Sequence, residues 1–168
     1  TSVPEQSSPA AAGNKLQLAF TPNRGQAHPE VRFEARSFAG TMRFLPDRVQ
    51  WSLPAASPQE PGASAGLVLQ FEGAQGASVI TGGQELPGVV NYLIGADPEK
   101  WLRGIPTHGD IVYGQLYPGI DLHYAGEQAV SGDWSPKGTS TVAPGAAPGR
   151  IRWSYRGAEV SLDRDSGD

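Results

Sequence analysis

Residues 86–126 read LPGVVNYLIGADPEKWLRGIPTHGDIVYGQLYPGIDLHYAG, and they contain Trp101, four of the five tyrosines and two of the three histidines. Glycines and prolines recur between these aromatic residues, a spacing typical of turns and short strands and not of one helix face. The stretch therefore predicts a β structure whose turns need particular backbone conformations.

The segments on either side alternate apolar residues with polar or small ones, as strands with one buried face do. The alternation is clearest at residues 31–36, 67–71, 120–124 and 151–155. Gly 22 and Pro 15 together exceed a fifth of the 168 residues, against about 12% in an average protein. These features predict an all-β fold, an antiparallel β-sandwich of two sheets. The residues expected to form its core are Leu18, Phe20, Val31, Phe33, Phe44, Trp51, Leu69, Phe71, Tyr92, Ile120, Leu122, Trp153 and Tyr155.

Residues 1–14 are small, polar and rich in proline, which predicts a flexible N-terminal linker before a β-sandwich domain at residues 15–168. An internal similarity divides that domain, because the pattern L-x-L-x-F-x-G-A at residues 67–74 matches I-x-W-x-Y-x-G-A at residues 151–158. Two explanations stay open: a duplication, or the chance likeness of alternating strands.

A duplication would give two related halves, residues 15–85 and 111–168. The aromatic, turn-rich segment 86–110 would join them.

Charge and cysteine content exclude several classes of function. The net charge is -4 and no run of Lys or Arg appears, so we expect no nucleic-acid partner. Cysteine is absent, which removes disulfides, thiolate metal sites and thiol nucleophiles. No apolar run approaches the ~20 residues that span a bilayer, so no direct membrane insertion is expected. No phosphate-binding loop occurs, and we expect no cofactor.

Several polar residues could support chemistry, but each has a simpler explanation. The three histidines lack metal-ligand spacing, and Asp163, Asp165 and Asp168 in DRDSGD form half of a calcium loop that a turn explains equally well. Glycoside hydrolysis needs two carboxyl groups at a set separation, which the sequence does not give. The carboxylates available for such a pair are Asp97, Glu99, Asp110 and Asp121.

Charged residues also occupy the polar positions of the alternating strands, where they could form a binding face. Ordinary cross-strand pairing on a solvated sheet is the simpler interpretation. These residues, all expected to be exposed, are Arg32, Glu34, Arg36, Glu72, Asp121, His123, Arg152 and Arg156.

Aromatic side chains give the best candidates for a ligand site. Trp101 stands beside Lys100 and Arg103 in a turn, and Tyr117 precedes Pro118-Gly119, so both could be exposed. Trp101, His108 and Tyr117 are therefore the predicted ligand-binding residues. Loop aromatics also commonly close the ends of a sandwich, which leaves a packing role open.

Five segments together resemble the N-terminal domain of bacterial surface or secreted proteins that carry SBBP (β-propeller) repeats. The segments follow one another in the same order as in that family: FTPNRGQ (20–26), VRFEAR (31–36), LPGVVNYLIGADPEKW (86–101), IPTHGDIVY (105–113) and LYPGIDLHYAG (116–126). The chain departs from the family at residues 130–149, where VSGDW is followed by an insertion and Ala147 stands where Asp is usual.

The resemblance implies a noncatalytic domain of unknown function at the head of a larger secreted or cell-surface protein. Its partners would be neighbouring domains, a glycan or another surface protein. The alternative is a carbohydrate-binding module or, less expected, a glycan-active enzyme.

Overall fold

The computed structural model describes residues 18–37, 40–53, 66–76, 78–128 and 134–157, and these residues form a nearly pure β structure. The described strands are β1 (Phe20–Pro22), β2 (Phe33–Ser37), β3 (Gly40–Leu45), β4 (Arg48–Ser52), β5 (Gly66–Phe71), β6 (Val79–Gly82), β7 (Glu85–Tyr92), β8 (Leu102–His108), β9 (Asp110–Tyr117), β10 (Ile120–Gln128), β11 (Trp134–Val142) and β12 (Trp153–Arg156). Two 3-10 helices lie at Pro98–Lys100 and Pro148–Arg150. None of the helices in this part of the chain is long and apolar enough to cross a bilayer.

Two antiparallel sheets confirm the predicted sandwich. Among the described strands, the larger sheet has eight in the order β12-β5-β4-β3-β2-β1-β8-β7, and the smaller has four in the order β11-β10-β9-β6. The predicted linker, residues 1–14, and the DRDSGD stretch lie outside the described residues.

Aromatic side chains join the two sheets into one core. The centroid of the Phe44 ring lies 5.5 Å from that of Phe20 in the same sheet. It lies 5.3 Å from the ring centroid of Tyr124, on β10 of the other sheet. Phe71 makes a similar edge-to-face contact with Tyr113 of β9, at 5.4 Å. Edge-to-face pairs of this kind stabilise a core beyond their area of burial. The sandwich is therefore closed by aromatic contacts between β3, β5, β9 and β10.

Most of the predicted core is confirmed. Eight of the predicted residues are buried: Leu18, Phe20, Val31, Phe33, Phe44, Phe71, Ile120 and Leu122. Trp51 and Leu69 are half-buried and pack against this cluster, and Tyr92 is half-buried as well.

The prediction is wrong for Trp153 and Tyr155, whose side chains are 38% and 42% exposed. Among the described strands, β12 is the outermost of its sheet and pairs with β5 alone, so no described strand covers its outer edge.

Glu34 corrects a second prediction, because it was expected to face water and is only 3% exposed. It lies directly opposite Arg43 in the β2–β3 register, and Arg43 Nε donates to Glu34 Oε1 at 3.1 Å. Its other oxygen, Oε2, has no hydrogen-bond partner among the described residues; Arg36 Nη2 lies 3.9 Å from it. A buried carboxylate needs a charged partner. Arg43 supplies that partner here.

The segment 86–110, predicted as a turn-rich connection, contributes most of β7 and all of β8. The two segments with matching sequence patterns, β5 and β12, pair with each other; Phe71 lies opposite Trp153 and Leu69 opposite Tyr155. The first predicted half provides β6 to the smaller sheet, and the second provides β12 to the larger. The duplication of the two halves stays a prediction.

The sheet edges differ in how they are blocked. β7, at one end of the larger sheet, contains Pro87 and two irregularities in its register with β8. β11, at one end of the smaller sheet, contains Pro136 and Lys137. Proline, register irregularities and lysine are common means of preventing an edge from pairing with another chain. β12 has neither proline nor a register shift along its four residues.

Candidate functional site

The three predicted ligand-binding residues lie at separate places in the fold. Trp101 immediately precedes β8 and His108 ends it. A strand rises about 3.3 Å per residue, so roughly 20 Å separate them. Tyr117 ends β9, in the other sheet. The fold therefore does not gather these three side chains around one ligand.

Tyr117 is buried, and the expectation that it is exposed is wrong: its relative exposure is 2%. Its hydroxyl donates to the carbonyl oxygen of Arg152 at 3.0 Å, and the Arg152 N–H lies 3.5 Å from the same hydroxyl. Burial raises the pKa of this phenol, so the hydroxyl keeps its proton. The Tyr117 hydrogen bond thus connects the end of β9 to Arg152, the residue before β12. Such a structural role is common for aromatic residues in loops.

Trp101 closes a compact turn between β7 and β8. Its indole Nε1 donates to the Gly95 carbonyl at 3.0 Å, and the Arg103 guanidinium lies 5.1 Å from the ring centroid. Asp97 caps the 3-10 helix, because its Oδ1 accepts from the Glu99 N–H at 3.1 Å. These contacts fix the turn in one conformation without a contribution from the core.

We call the β7–β8 hairpin, residues 85–108, the arm. None of its side chains belongs to the buried cluster between the two sheets. Among the described residues, β1 pairs with β8 at Phe20 opposite His108, and β7 provides the other strand pairing of β8. Towards its base the arm is anchored by the buried Ile105 and Thr107. At the tip, Leu93 and Ile94 are 55% and 73% exposed, and Val89 is also exposed. The arm therefore presents apolar side chains on a preorganised turn.

A polar cluster lies at the base of the arm, where the chain turns from β8 into β9. His108 Nδ1 donates to the Gly83 carbonyl at 3.3 Å, and Asp110 Oδ1 accepts from the Gln84 N–H. A Cβ at Gly82 would collide with the His108 ring, and one at Gly83 would collide with the Asp110 carboxylate. The two glycines are therefore needed for the close approach of the β6–β7 turn.

Asp110 also pairs with His123 of β10, whose Nε2 donates to Asp110 Oδ2 at 2.7 Å. Burial alone would raise the pKa of Asp110. The hydrogen bonds from His123 and the Gln84 N–H, together with the charges of His123 and His108, outweigh burial and hold the pKa below its ordinary value of 3.8. The ionised carboxylate therefore stabilises the junction of β6, β7, β9 and β10.

We expect Asp110→Asn to lower the free energy of unfolding by about 1–2 kcal/mol at pH 7, since hydrogen bonds to a charged group are lost. A depressed pKa stabilises the fold above the unfolded-state pKa, and this stabilisation disappears as the pH falls through the folded-state pKa. The free energy of unfolding of the variant should therefore be lower than that of the unaltered protein by the whole of this amount at pH 7, and the two values should converge below pH ~4. Urea unfolding at pH 7, 5 and 3 measures it. Glu85→Gln, on an exposed side chain, is the control, and an equal loss in both variants would contradict the assignment.

The other carboxylates singled out for glycoside chemistry take part in turns. Asp121 Oδ1 accepts from the Gln115 N–H at 2.7 Å, and Asp97 is the cap described above. In the described ranges, no group of three or more His, Asp or Glu side chains could hold a metal ion.

A groove of about 220 Å³ opens between the sheets on the side where β11 and β12 are the edge strands. Four of its ten lining residues are aromatic: Trp51, Trp153 and Tyr155 from the larger sheet and Tyr124 from the smaller. Gly138 of β11 lies against the Tyr124 ring, where a Cβ would come within 3.0 Å of Cε1. The groove is thus a concave, largely apolar surface.

The family model of a domain of unknown function (DUF7948) matches residues 20–168. The chain belongs to this family. No curated protein and no solved structure matches this chain.

Two features of this DUF7948 domain were missed by the sequence analysis. The apolar tip of the arm was not singled out, although Leu93-Ile94 next to Gly95 is an apolar pair in a turn. The Asp110–His123 pair was missed because the two residues are thirteen positions apart and meet only through the β9–β10 register. The groove was predicted as core, since its aromatic residues follow the strand alternation.

Proposed function

We propose that this domain is a noncatalytic module of a bacterial secreted or cell-surface protein, and that its arm docks it against a neighbouring domain or a protein partner. The observation that carries the proposal is the tip, where Leu93 and Ile94 are 55% and 73% exposed on a turn held by its own hydrogen bonds. The sequence likeness to the head of SBBP repeat proteins supports a position beside further domains.

The arm has the properties that a docking element needs. Its turn is ordered before binding, which reduces the entropy lost on association. Full burial of a Leu or Ile side chain contributes about 1.5–3 kcal/mol, so two such residues at the centre of an interface would make a substantial contribution. In the isolated domain these two exposed side chains contribute little to the stability of the fold.

A carbohydrate-binding role, the alternative from the sequence, has less support at Trp101. Stacking on sugar needs an open aromatic face, but Arg103 lies over this ring and the indole N–H is already bonded to Gly95. Tyr117, the second aromatic residue predicted for that site, is buried. A protein surface is therefore the better match to the arm.

Amide hydrogen exchange on the full-length gene product and on the isolated domain tests the proposal. We expect residues 89–94 to exchange about tenfold more slowly in the full-length protein, because docking covers them. Leu93→Ser with Ile94→Ser should abolish that protection and leave the stability of the domain unchanged. Val79→Ser, at an equally exposed position on β6, is the matched control. Equal exchange in the two proteins would overturn docking to a neighbouring domain.

A further inference from the structure

β6 is an outer strand of the smaller sheet, and among the described strands it pairs with β9 alone. Its sequence, Val-Ile-Thr-Gly, contains no proline and no charged side chain. The outer strands β7 and β11 each contain proline, which hinders pairing with a further strand. β6 therefore lacks the features that keep those two strands from pairing with another chain.

The register between β6 and β9 determines which backbone groups of β6 point away from its sheet. The Gly83 N–H donates to the Asp110 carbonyl oxygen at 2.9 Å, one position beyond the strand in the same register. Hydrogen-bonded and non-hydrogen-bonded pairs alternate along an antiparallel ladder. The backbone of Thr81 therefore bonds to β9, whereas the N–H and C=O groups of Ile80 and Gly82 point outward.

These outward groups lie at an accessible edge. Among the described residues, no backbone hydrogen bond from a turn or loop reaches Ile80 or Gly82. Buried N–H and C=O groups are almost always paired, so the groups at this edge are exposed to water. The Val79 side chain is 64% exposed and Thr81 is exposed too, while Ile80 packs against the core and holds the strand in place. β6 is thus an ordered strand with free hydrogen-bonding groups.

A second copy of β6, running antiparallel to the first, has the complementary groups at the required spacing. When the Thr81 residues of the two copies lie opposite each other, Ile80 of each copy lies opposite Gly82 of the other. Each Ile80–Gly82 pair then exchanges two N–H···O=C bonds, so every outward group of both strands is satisfied. A shift of one residue would place these groups opposite Thr81, whose own groups are already bonded to β9.

The side chains also fit this register. The two Thr81 side chains meet on the exposed face in a non-hydrogen-bonded pair, where opposite side chains are closest, and threonine pairs of this kind stabilise sheets. Val79 lies opposite Gly83 of the other copy, which has no side chain to obstruct it. Residues 79–84 are all uncharged, so no charges of the same sign face each other.

We propose that β6 is a self-association surface, and that its partner is β6 of a second copy of this chain. The contact is isologous, so the two strands satisfy each other and the assembly closes as a dimer. The smaller sheets of the two copies would join into one continuous sheet. Four residues from each copy bury little area, so the association is weak and depends on a high local concentration.

Amide hydrogen exchange in the 168-residue chain, followed by nuclear magnetic resonance at increasing protein concentration, tests the proposal. We expect the Ile80 and Gly82 amides to exchange about tenfold more slowly at millimolar than at low micromolar concentration. The Val79 and Thr81 amides are bonded to β9 at every concentration and are the internal control. Exchange at Ile80 and Gly82 that does not change with concentration would overturn the proposal.

A pair of charged variants tests the register. Thr81→Lys places two positive charges opposite each other and should abolish the slower exchange at high concentration. Thr81→Glu should do the same, and an equimolar mixture of the two variants should restore the protection because opposite charges then meet. Thr139→Lys is the matched control, an exposed threonine in the same cross-strand row on β11, and should behave like the unaltered chain.

A mixture that stays unprotected, while the unaltered chain is protected at high concentration, would contradict pairing at Thr81. The amides that report the dimer differ from those of residues 89–94, which report docking of the arm. Failure of one proposal is therefore distinguishable from failure of the other.

Discussion

Replacing Phe44 by alanine is expected to lower the free energy of unfolding by about 3–5 kcal/mol, the largest effect of any single substitution proposed for the core. Phe44 is fully buried and its ring contacts Phe20 in one sheet and Tyr124 in the other. Its removal leaves a cavity where the two sheets meet, and the rigid neighbouring rings cannot collapse into it. Chemical unfolding in urea measures the loss, which corresponds to a fall in Tm of roughly 10 °C.

Leu93→Ala is the control for Phe44→Ala, because Leu93 is an aliphatic residue exposed at the tip of the arm. Its change in stability should stay within about 0.5 kcal/mol. If Phe44→Ala also cost less than about 1 kcal/mol, the aromatic contacts between the sheets could not be the centre of a cooperative core.

Arg43→Met is expected to destabilise the domain by about 3–5 kcal/mol, because it leaves the buried Glu34 carboxylate without its partner. Arg43 Nε lies 3.1 Å from Glu34 Oε1, and the Glu34 side chain is nearly inaccessible to water. The arginine also donates to Ser52 Oγ at 3.0 Å, so a second hydrogen bond is lost. Urea unfolding at pH 7 is the measurement.

A second substitution separates the charge effect from lost packing. Glu34→Met combined with Arg43→Met should recover most of the stability, since apolar pairs often replace buried ion pairs without loss. Arg36→Met, whose guanidinium is 3.9 Å from Glu34 and mostly exposed, should cost less than about 1 kcal/mol. Equal losses for Arg36→Met and Arg43→Met would refute the assignment of Arg43 as the essential partner.

Alternation of apolar residues predicted β2, β5 and β10, and in β10 the buried residues Ile120, Leu122 and Tyr124 alternate with half-buried ones as expected. It failed for β7, β8 and β11, which lie at a sheet edge or in the arm. β7 and β11 bury little on either face, and β8 buries only Ile105 and Thr107 of its seven residues. All three strands carry proline or glycine, so no two-residue period of apolar residues appears in the sequence. Trp153 and Tyr155 were wrongly predicted to be buried for a related reason. Alternation shows that two residues share a face of a strand, but it does not show whether another part of the protein covers that face.

The candidate sites were less predictable because they depend on register. Between Ile120 and Leu122 the β9–β10 pairing shifts, and His123 is opposite Val112 where an unbroken hairpin would place it opposite Gly114. Gln115 has a φ of +51° at this irregularity, and Asp121 accepts its N–H. A non-glycine residue with positive φ is uncommon. The pairing of His123 with Asp110 follows from this local irregularity, which no residue pattern indicated.

The prolines at β7 and β11 have a consequence for how this protein behaves in a crowded setting. A protein that consists almost entirely of β-sheet can aggregate into fibres, because an outer strand can pair edge to edge with a strand of another copy. Pro87 and Pro136 each remove a backbone donor from an outer strand of the described sheets, and beside Pro136 stands the charged Lys137, which pairs with Glu127. At these two edges, copies crowded together at high local density should therefore stay separate.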